Sequence, residues 1–187
     1  MGERLFAAVI PTAEVVDELG RWVDPRRDDA WRWASPADWH VTLAFYGDVE
    51  PWRYETLVEG LGETARRTSP FVLRLDGVGC FGSVDKARVL YADVEDLDGV
   101  LPRLAMSCRT AATTIGIEVA RQKYHPHVTL ARRDRASDAA RHVRALGELR
   151  TRPWEVAEIV LVESFLGQGA RGTARHEVRE HFRLART

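Results

Sequence analysis

The phrase His-Val-Thr-Leu-Ala occurs twice, at residues 40–44 and 127–131, with its histidines 87 residues apart in a chain of 187. Only six histidines are present in all, so recurrence at half the chain length points to a duplicated architecture that presents two imidazoles. Parity sharpens the expectation, because successive side chains of a strand point to opposite faces. In the first copy Val41, Leu43 and Phe45 share one face, and His40, Thr42 and Ala44 share the other. The second copy sorts in the same way, with Val128 and Leu130 against His127, Thr129 and Ala131. One face is apolar enough to be core. The other offers an imidazole and a hydroxyl roughly 7 Å apart along the strand, which is the reach of one phosphate group with its ester oxygens.

Periodicity and punctuation around the two phrases predict the remaining elements. A strand at 4–10 is followed by a helix at 12–23, a loop through 38 and a strand at 39–46. Pro51 opens a helix to about 67, and a strand follows at 71–75, with Gly77, Gly79 and Gly82 read as turn glycines. The second half repeats the order: strand 88–94, helix 98–115, strand 127–133, helix 136–147, strand 156–163, and a last strand near 174–183. Leu101, Leu104, Ala105 and Cys108 fall at helical spacing. Two β-α-β-α-β halves, residues 4–82 and 88–187, predict one α+β domain spanning 1–187. Its two pseudo-symmetric lobes would each carry a mainly antiparallel or mixed sheet flanked by helices, with the site in the cleft between them.

Composition narrows the functional classes. A hydrophobic content of 45% with 29% charged residues suits a packed globular core and argues against disorder. The formal net charge of −1 argues against a bulk nucleic-acid coat, which neutralises many phosphates with a basic surface, so any nucleic-acid contact should be local. Cys80 and Cys108 are too few for a disulfide framework and too far apart for a zinc site. The opening residues lack a signal-peptide pattern, Phe6 stands where a myristoylation signal needs Ser or Thr, and no apolar run reaches about 18 residues. A cytoplasmic monomer with no membrane attachment and no obligate protein partner is the expectation.

Breaking a phosphate ester with water needs a base that takes a proton from the water and an acid that protonates the departing oxygen on the opposite side of phosphorus. Two imidazoles near neutrality can serve both ends. Thr42 and Thr129 would donate to the non-bridging oxygens, and a guanidinium would strengthen that hold. No carboxylate or thiol recurs at matched offset beside both histidines, so neither a metal nor another cofactor is expected. Among the other histidines, His125 is placed at the cleft rim without a chemical role, and His142, His176 and His181 at the surface. The basic run Arg121, Lys123, Arg132, Arg133 and Arg135 is read either as a solvated face or as a grip on an RNA backbone. Trp31, Trp33, Trp39 and Tyr124 are read as core residues first and as a base-stacking platform second.

The segments 40–47 and 126–132 closely resemble the two signatures of the 2H phosphoesterases, in particular the RNA 2′,3′-cyclic phosphodiesterases also called 2′-5′ RNA ligases. The resemblance extends to residues 4–8, 88–92 and 159–164, and so covers essentially the whole chain. It implies a bilobal fold with a central cleft. The implied reaction hydrolyses RNA 2′,3′-cyclic phosphate ends to 2′-phosphomonoesters without metal or nucleotide cofactor, with reversible 2′-5′ ligation as a further capacity. It assigns His40 as proton donor, His127 as proton acceptor, and Arg132 to the phosphate. Simple alternation puts Arg132 on the face away from His127, so its assignment needs a bulge, a twist or the strand's end. Gly172 stands where relatives commonly carry tyrosine. Two other readings remain open: a 2H phosphoesterase for a small ester, such as ADP-ribose 1″,2″-cyclic phosphate or a 2′-5′ oligonucleotide, and a non-catalytic RNA-end binding protein.

Overall fold

The computed structural model describes residues 2–120, 123–169 and 172–185. Nine strands and four α-helices alternate along them: β1 (Glu3–Val9), α1 (Ala13–Val23), β2 (Arg32–Trp33), β3 (Val41–Val49), α2 (Pro51–Arg66), β4 (Phe71–Phe81), β5 (Ala87–Asp96), α3 (Leu101–Thr114), β6 (His127–Ser137), α4 (Ala140–Leu146), β7 (Trp154–Val156), β8 (Glu158–Phe165) and β9 (Arg175–Arg183). The α+β class expected from sequence is what forms. Every strand pair is antiparallel, so the mixed-sheet alternative falls away.

All the strands belong to one connected sheet ordered β7-β4-β5-β6-β3-β1-β8-β9, with β2 pairing β6 off this path. At its middle β6 meets β3 through Val41 and Val128, the residues between histidine and threonine in the two repeated phrases. The order is symmetric about that pair, and each side borrows from the other half of the chain. Strand β4 from the first half pairs with β5 and β7, while β8 from the second half pairs with β1.

The helices bury one stripe each. Val15, Leu19 and Val23 on α1, Leu57, Leu61 and Ala65 on α2, and Leu101, Leu104, Ala105, Cys108 and Ala112 on α3 are buried at 3.6-residue spacing. They enter one large cluster with the inner residues of the strands, including Leu5, Ala7, Val9, Val41, Leu73, Leu90, Val128 and Ile159. A smaller cluster of Phe6, Ala8, Val160 and Val162 covers the opposite face of β1 and β8. Both faces of these central strands are therefore apolar, which is why β1 reads as a continuous hydrophobic run.

Several boundaries differ from the sequence expectation. Strand β4 runs to Phe81 instead of stopping at 75, so Gly77 and Gly79 are strand residues and not turn glycines. Gly77, at φ +88°, sits in a bulge between the pairs Leu75–Val94 and Val78–Ala92. Gly79 lies under the Tyr91 ring, where an added Cβ would stand 2.6 Å from the phenolic oxygen. Helix α3 starts at Leu101, whose N–H donates to Asp96 Oδ2 at 2.8 Å. Helix α4 starts late because β6 continues to Ser137, paired with Ala87, before Asp138 Oδ1 receives the Ala140 N–H at 2.6 Å. The expected strand at 156–163 is two strands, β7 and β8. No helix among the described residues is long and apolar enough to cross a membrane.

Candidate active site

Both repeated phrases lie where β3 and β6 meet, and the same irregularity follows each. Strand β1 pairs Ala8 with Thr42 but Ala7 with Ala44, making Leu43 an extra residue; β5 pairs Tyr91 with Thr129 but Leu90 with Ala131, making Leu130 one. A bulge of this kind sends two consecutive side chains to the same face and reverses the parity beyond it. Leu43 and Ala44 are accordingly both buried in the main cluster, as are Leu130 and Ala131. The expected placement of Ala44 in the cleft and Phe45 in the core is thus reversed. Phe45 is 41% exposed and lines the cleft. Arg132, five residues after its histidine as Phe45 is after His40, is carried onto the cleft face by the equivalent bulge, which removes the parity objection to it.

The cleft is a cavity of about 490 Å³ that brings together His40, Thr42, His127, Thr129 and Arg132. All five residues expected at the site line it. Around them stand Arg4, Phe6, Arg32, Asp38, Phe45, Ser164 and His176, which the sequence reading did not select. Arg132 Nη2 donates to Thr129 Oγ1 at 3.3 Å, which leaves the threonine hydroxyl proton free to point at a ligand. Arg4 lies over the Phe45 ring at 4.6 Å, and Arg32 is bound bidentately to Asp134 at 2.6 and 2.7 Å.

Both histidines are anchored alike. His40 Nδ1 donates to the Asp38 carbonyl at 2.7 Å, and His127 Nδ1 donates to the His125 carbonyl at 2.7 Å. A carbonyl can only accept, so each Nδ1 carries a hydrogen and Nε2 is left as the nitrogen that exchanges protons. Burial pushes His40 down to about 4, with the charges of His176, His127 and Arg132 adding to it and the Asp38 carbonyl opposing. Burial also lowers His127; the nearby His125 and Arg132 add to this, while the His125 carbonyl and Asp93 oppose it. Both lowered values leave the two rings neutral at pH 7.

The outlying residues divide. His125 is a rim residue as expected, 45% exposed in its side chain, 3.2 Å from Asp93 and stacked beside His127. His181 is exposed against Glu158. His142 and His176 are not surface residues. His142 is buried, with Nε2 2.8 Å from Asp28, and His176 stands in the cleft. Neither has a sequence signal, because what buries each is a distant segment. Trp31 and Trp39 are core as expected. Aromatic surface near the histidines is instead Phe6, against His40 at 4.7 Å, and Phe81 and Tyr91, against His127 at 4.7 and 5.4 Å. Of the basic run, Arg133 lies over Trp31 at 3.7 Å, away from the cleft, and Arg121 lies outside the described residues. Gly172, at φ +74°, lines the cleft.

The fold and the paired histidine phrases define a duplicated two-histidine architecture, and comparison gives it a family. The model of the 2′-5′ RNA ligase superfamily matches residues 13–166, and the chain belongs to that superfamily. It is 31% identical over 134 residues to an RNA 2′,3′-cyclic phosphodiesterase of Aeropyrum pernix, covering 69% of this chain and 74% of the relative. It is 32% identical over 130 residues to one of Geobacillus stearothermophilus, covering 68% of this chain. The match spans 41% of the length of the Geobacillus relative and 55% of that of a similarly named Bacillus subtilis protein. Among solved structures, Escherichia coli LigT complexed with 3′-AMP is similar at a TM-score of 0.81 and 26% identity, each chain covered in full.

Proposed function

We propose that the protein hydrolyses 2′,3′-cyclic phosphate ends of RNA to 2′-phosphomonoesters. What carries this reading is the matched anchoring of two imidazoles, each held through Nδ1 so that Nε2 serves a single cleft furnished with two threonine hydroxyls and a guanidinium. Similarity to relatives named for this activity, and to a fold that holds 3′-AMP, supports it.

His127, lowered and so neutral near pH 7, takes a proton from water as its oxygen attacks phosphorus. His40 delivers a proton to the departing 3′ oxygen on the other side, leaving the phosphate on the 2′ oxygen. Thr42, Thr129 and Arg132 hold the non-bridging oxygens, whose charge grows in the transition state. The substrate's own negative charge offsets the burial and positive neighbours that lower His40, because an anion beside the ring favours imidazolium. With a ribose 5′ hydroxyl in place of water as the nucleophile, the same step joins two RNA ends through a 2′-5′ linkage. A cytoplasmic monomer needing no cofactor is the working form of this proposal.

The test is a short RNA ending in a 2′,3′-cyclic phosphate, incubated with the protein in EDTA without nucleotide, with products resolved by phosphate position. A 2′-phosphate product is expected. A 3′-phosphate product overturns the leaving-group assignment, and tight binding without turnover overturns the enzyme reading.

A further inference from the structure

His40 is enclosed by side chains that the repeat does not supply. Phe6 packs on its ring at 4.7 Å, and His176 stands edge-on to it, with centroids 5.1 Å apart and planes at 89°. Phe6 and His176 also touch each other at 5.3 Å. Asp38 serves both imidazoles: its carbonyl accepts from His40 Nδ1, while its carboxylate Oδ1 is 3.4 Å from His176 Nδ1. The His176 side chain is only 20% exposed. The corresponding pair beside His127, His125 with Asp93, is 45% and 41% exposed. Of the two histidine–aspartate pairs that flank the repeated histidines, the one beside His40 is the better shielded from solvent, and there a neighbouring charge acts more strongly.

We propose that His176, seated by Asp38, is a positioning residue for His40: it fixes the His40 ring edge-on against Phe6 and makes that ring's protonation depend on the arrival of the substrate's negative charge. This rests on the phosphodiesterase reading for its role in turnover, though not for its effect on His40 itself.

The groups facing His176 are Asp38 before β3, His40, and Arg132 of β6; Ser164 of β8 lies opposite it in the β8–β9 register. Only Asp38 among them favours a charged His176, and that carboxylate is at its own nitrogen, so a proton entering the cleft of the free protein is drawn to His176 before His40. Burial and Arg132 oppose that uptake. Once His176 carries the charge, His40 alongside resists a second proton, in line with the depression that His176 imposes on it. A bound phosphate ester supplies the countercharge that lets His40 take its proton from solvent.

The experiment follows the His40 ring by NMR titration in the free protein, comparing wild type with His176→Gln and His176→Phe. Phenylalanine keeps a ring against His40, and glutamine keeps a polar group near Asp38. Removing the neighbouring charge should raise the His40 midpoint by about one pH unit in both variants. In turnover, kcat/KM on the alkaline side should rise in step, because the fraction of His40 that carries a proton there rises with its midpoint. A His40 midpoint that stays within about 0.2 of wild type in a folded His176→Gln protein overturns the proposal. A midpoint that moves in a protein without turnover leaves the proposal standing and removes the phosphodiesterase reading instead. A purely structural role would lower kcat at every pH and leave the His40 midpoint in place.

Discussion

One imidazole should carry a separable part of the acid sensitivity of the fold. His40 falls from the ordinary 6.5 to about 4 in the folded protein, so between these pH values the unfolded chain binds a proton there that the folded chain refuses. Stability from this group is fully present above about pH 6.5 and is lost progressively as pH falls through about 4. At about 1.4 kcal/mol per pH unit the contribution is about 3 kcal/mol, a large share of a typical folding free energy of about 5–15 kcal/mol. His40→Gln removes the titrating group and retains a polar side chain of similar reach. Urea unfolding of both proteins, followed by tryptophan fluorescence at pH 7 and pH 4.5, measures the effect. Other carboxylates and histidines titrate in both proteins, so the change with pH of the difference between them isolates His40. Wild type should lose about 2–3 kcal/mol more than the variant over this interval. Inorganic phosphate should narrow the gap, because an anion in the cleft stabilises the imidazolium. A difference equal at the two pH values, within about 0.5 kcal/mol, would refute the half-buried neutral imidazole.

Four further outcomes are expected. His40→Ala and His127→Ala should each reduce kcat by about 10²–10⁴-fold while remaining folded, and the double variant should lose far less than the product because the two groups act as a unit; near-wild-type turnover by either single variant ends the two-histidine mechanism. Arg132→Ala should cost about 10²–10³-fold in kcat, with little recovery in Arg132→Lys, because an ammonium cannot span Thr129 and a phosphate oxygen as a planar guanidinium can. The bell of kcat/KM should lie acid of pH 6.5: above about 4 His40 in the free protein loses its proton, and His127, also lowered, gains one only below its own reduced value. An optimum above 7 contradicts this. Gly79→Ala should displace the Tyr91 ring and, through it, His127, lowering turnover and destabilising the fold by about 1–3 kcal/mol; a crystal structure with Tyr91 unmoved would refute the contact.

Much of this was legible in the chain. The repeated phrase locates both imidazoles and both threonines because a short motif on a strand carries its own geometry. Helical spacing of Leu101, Leu104, Ala105 and Cys108 gives the buried face of α3 directly. Parity failed at Phe45 and Ala44 because a bulge is a property of two paired strands, and nothing in Leu43 itself announces that β1 will skip it. The glycines of β4 were misread for a related reason. Gly77 and Gly79 look like punctuation, yet one relieves a bulge and the other makes room for Tyr91 from the neighbouring strand. His176 and Asp38 lie 138 residues apart, and only the pairing of β8 with both β1 and β9 brings them together.

The exchange of β4 and β8 across the centre of the sheet bears on how such a chain can arise and be divided. Severed in the hairpin between β4 and β5, the first part would keep β1 and β3 but lose β8 from the edge of β1, and would carry β4 with no partner. Neither fragment could close its own sheet, though the two together should reassociate into the parent structure. A half-length ancestor built on the same plan would have been a strand-swapped homodimer, its dyad passing where Val41 now meets Val128. Such a dimer has identical histidines by necessity. Holding both copies in one chain lets the two surroundings differ, Phe6 and His176 at one ring, Phe81 and Tyr91 at the other, so that equivalent imidazoles are unequal in their hold on a proton.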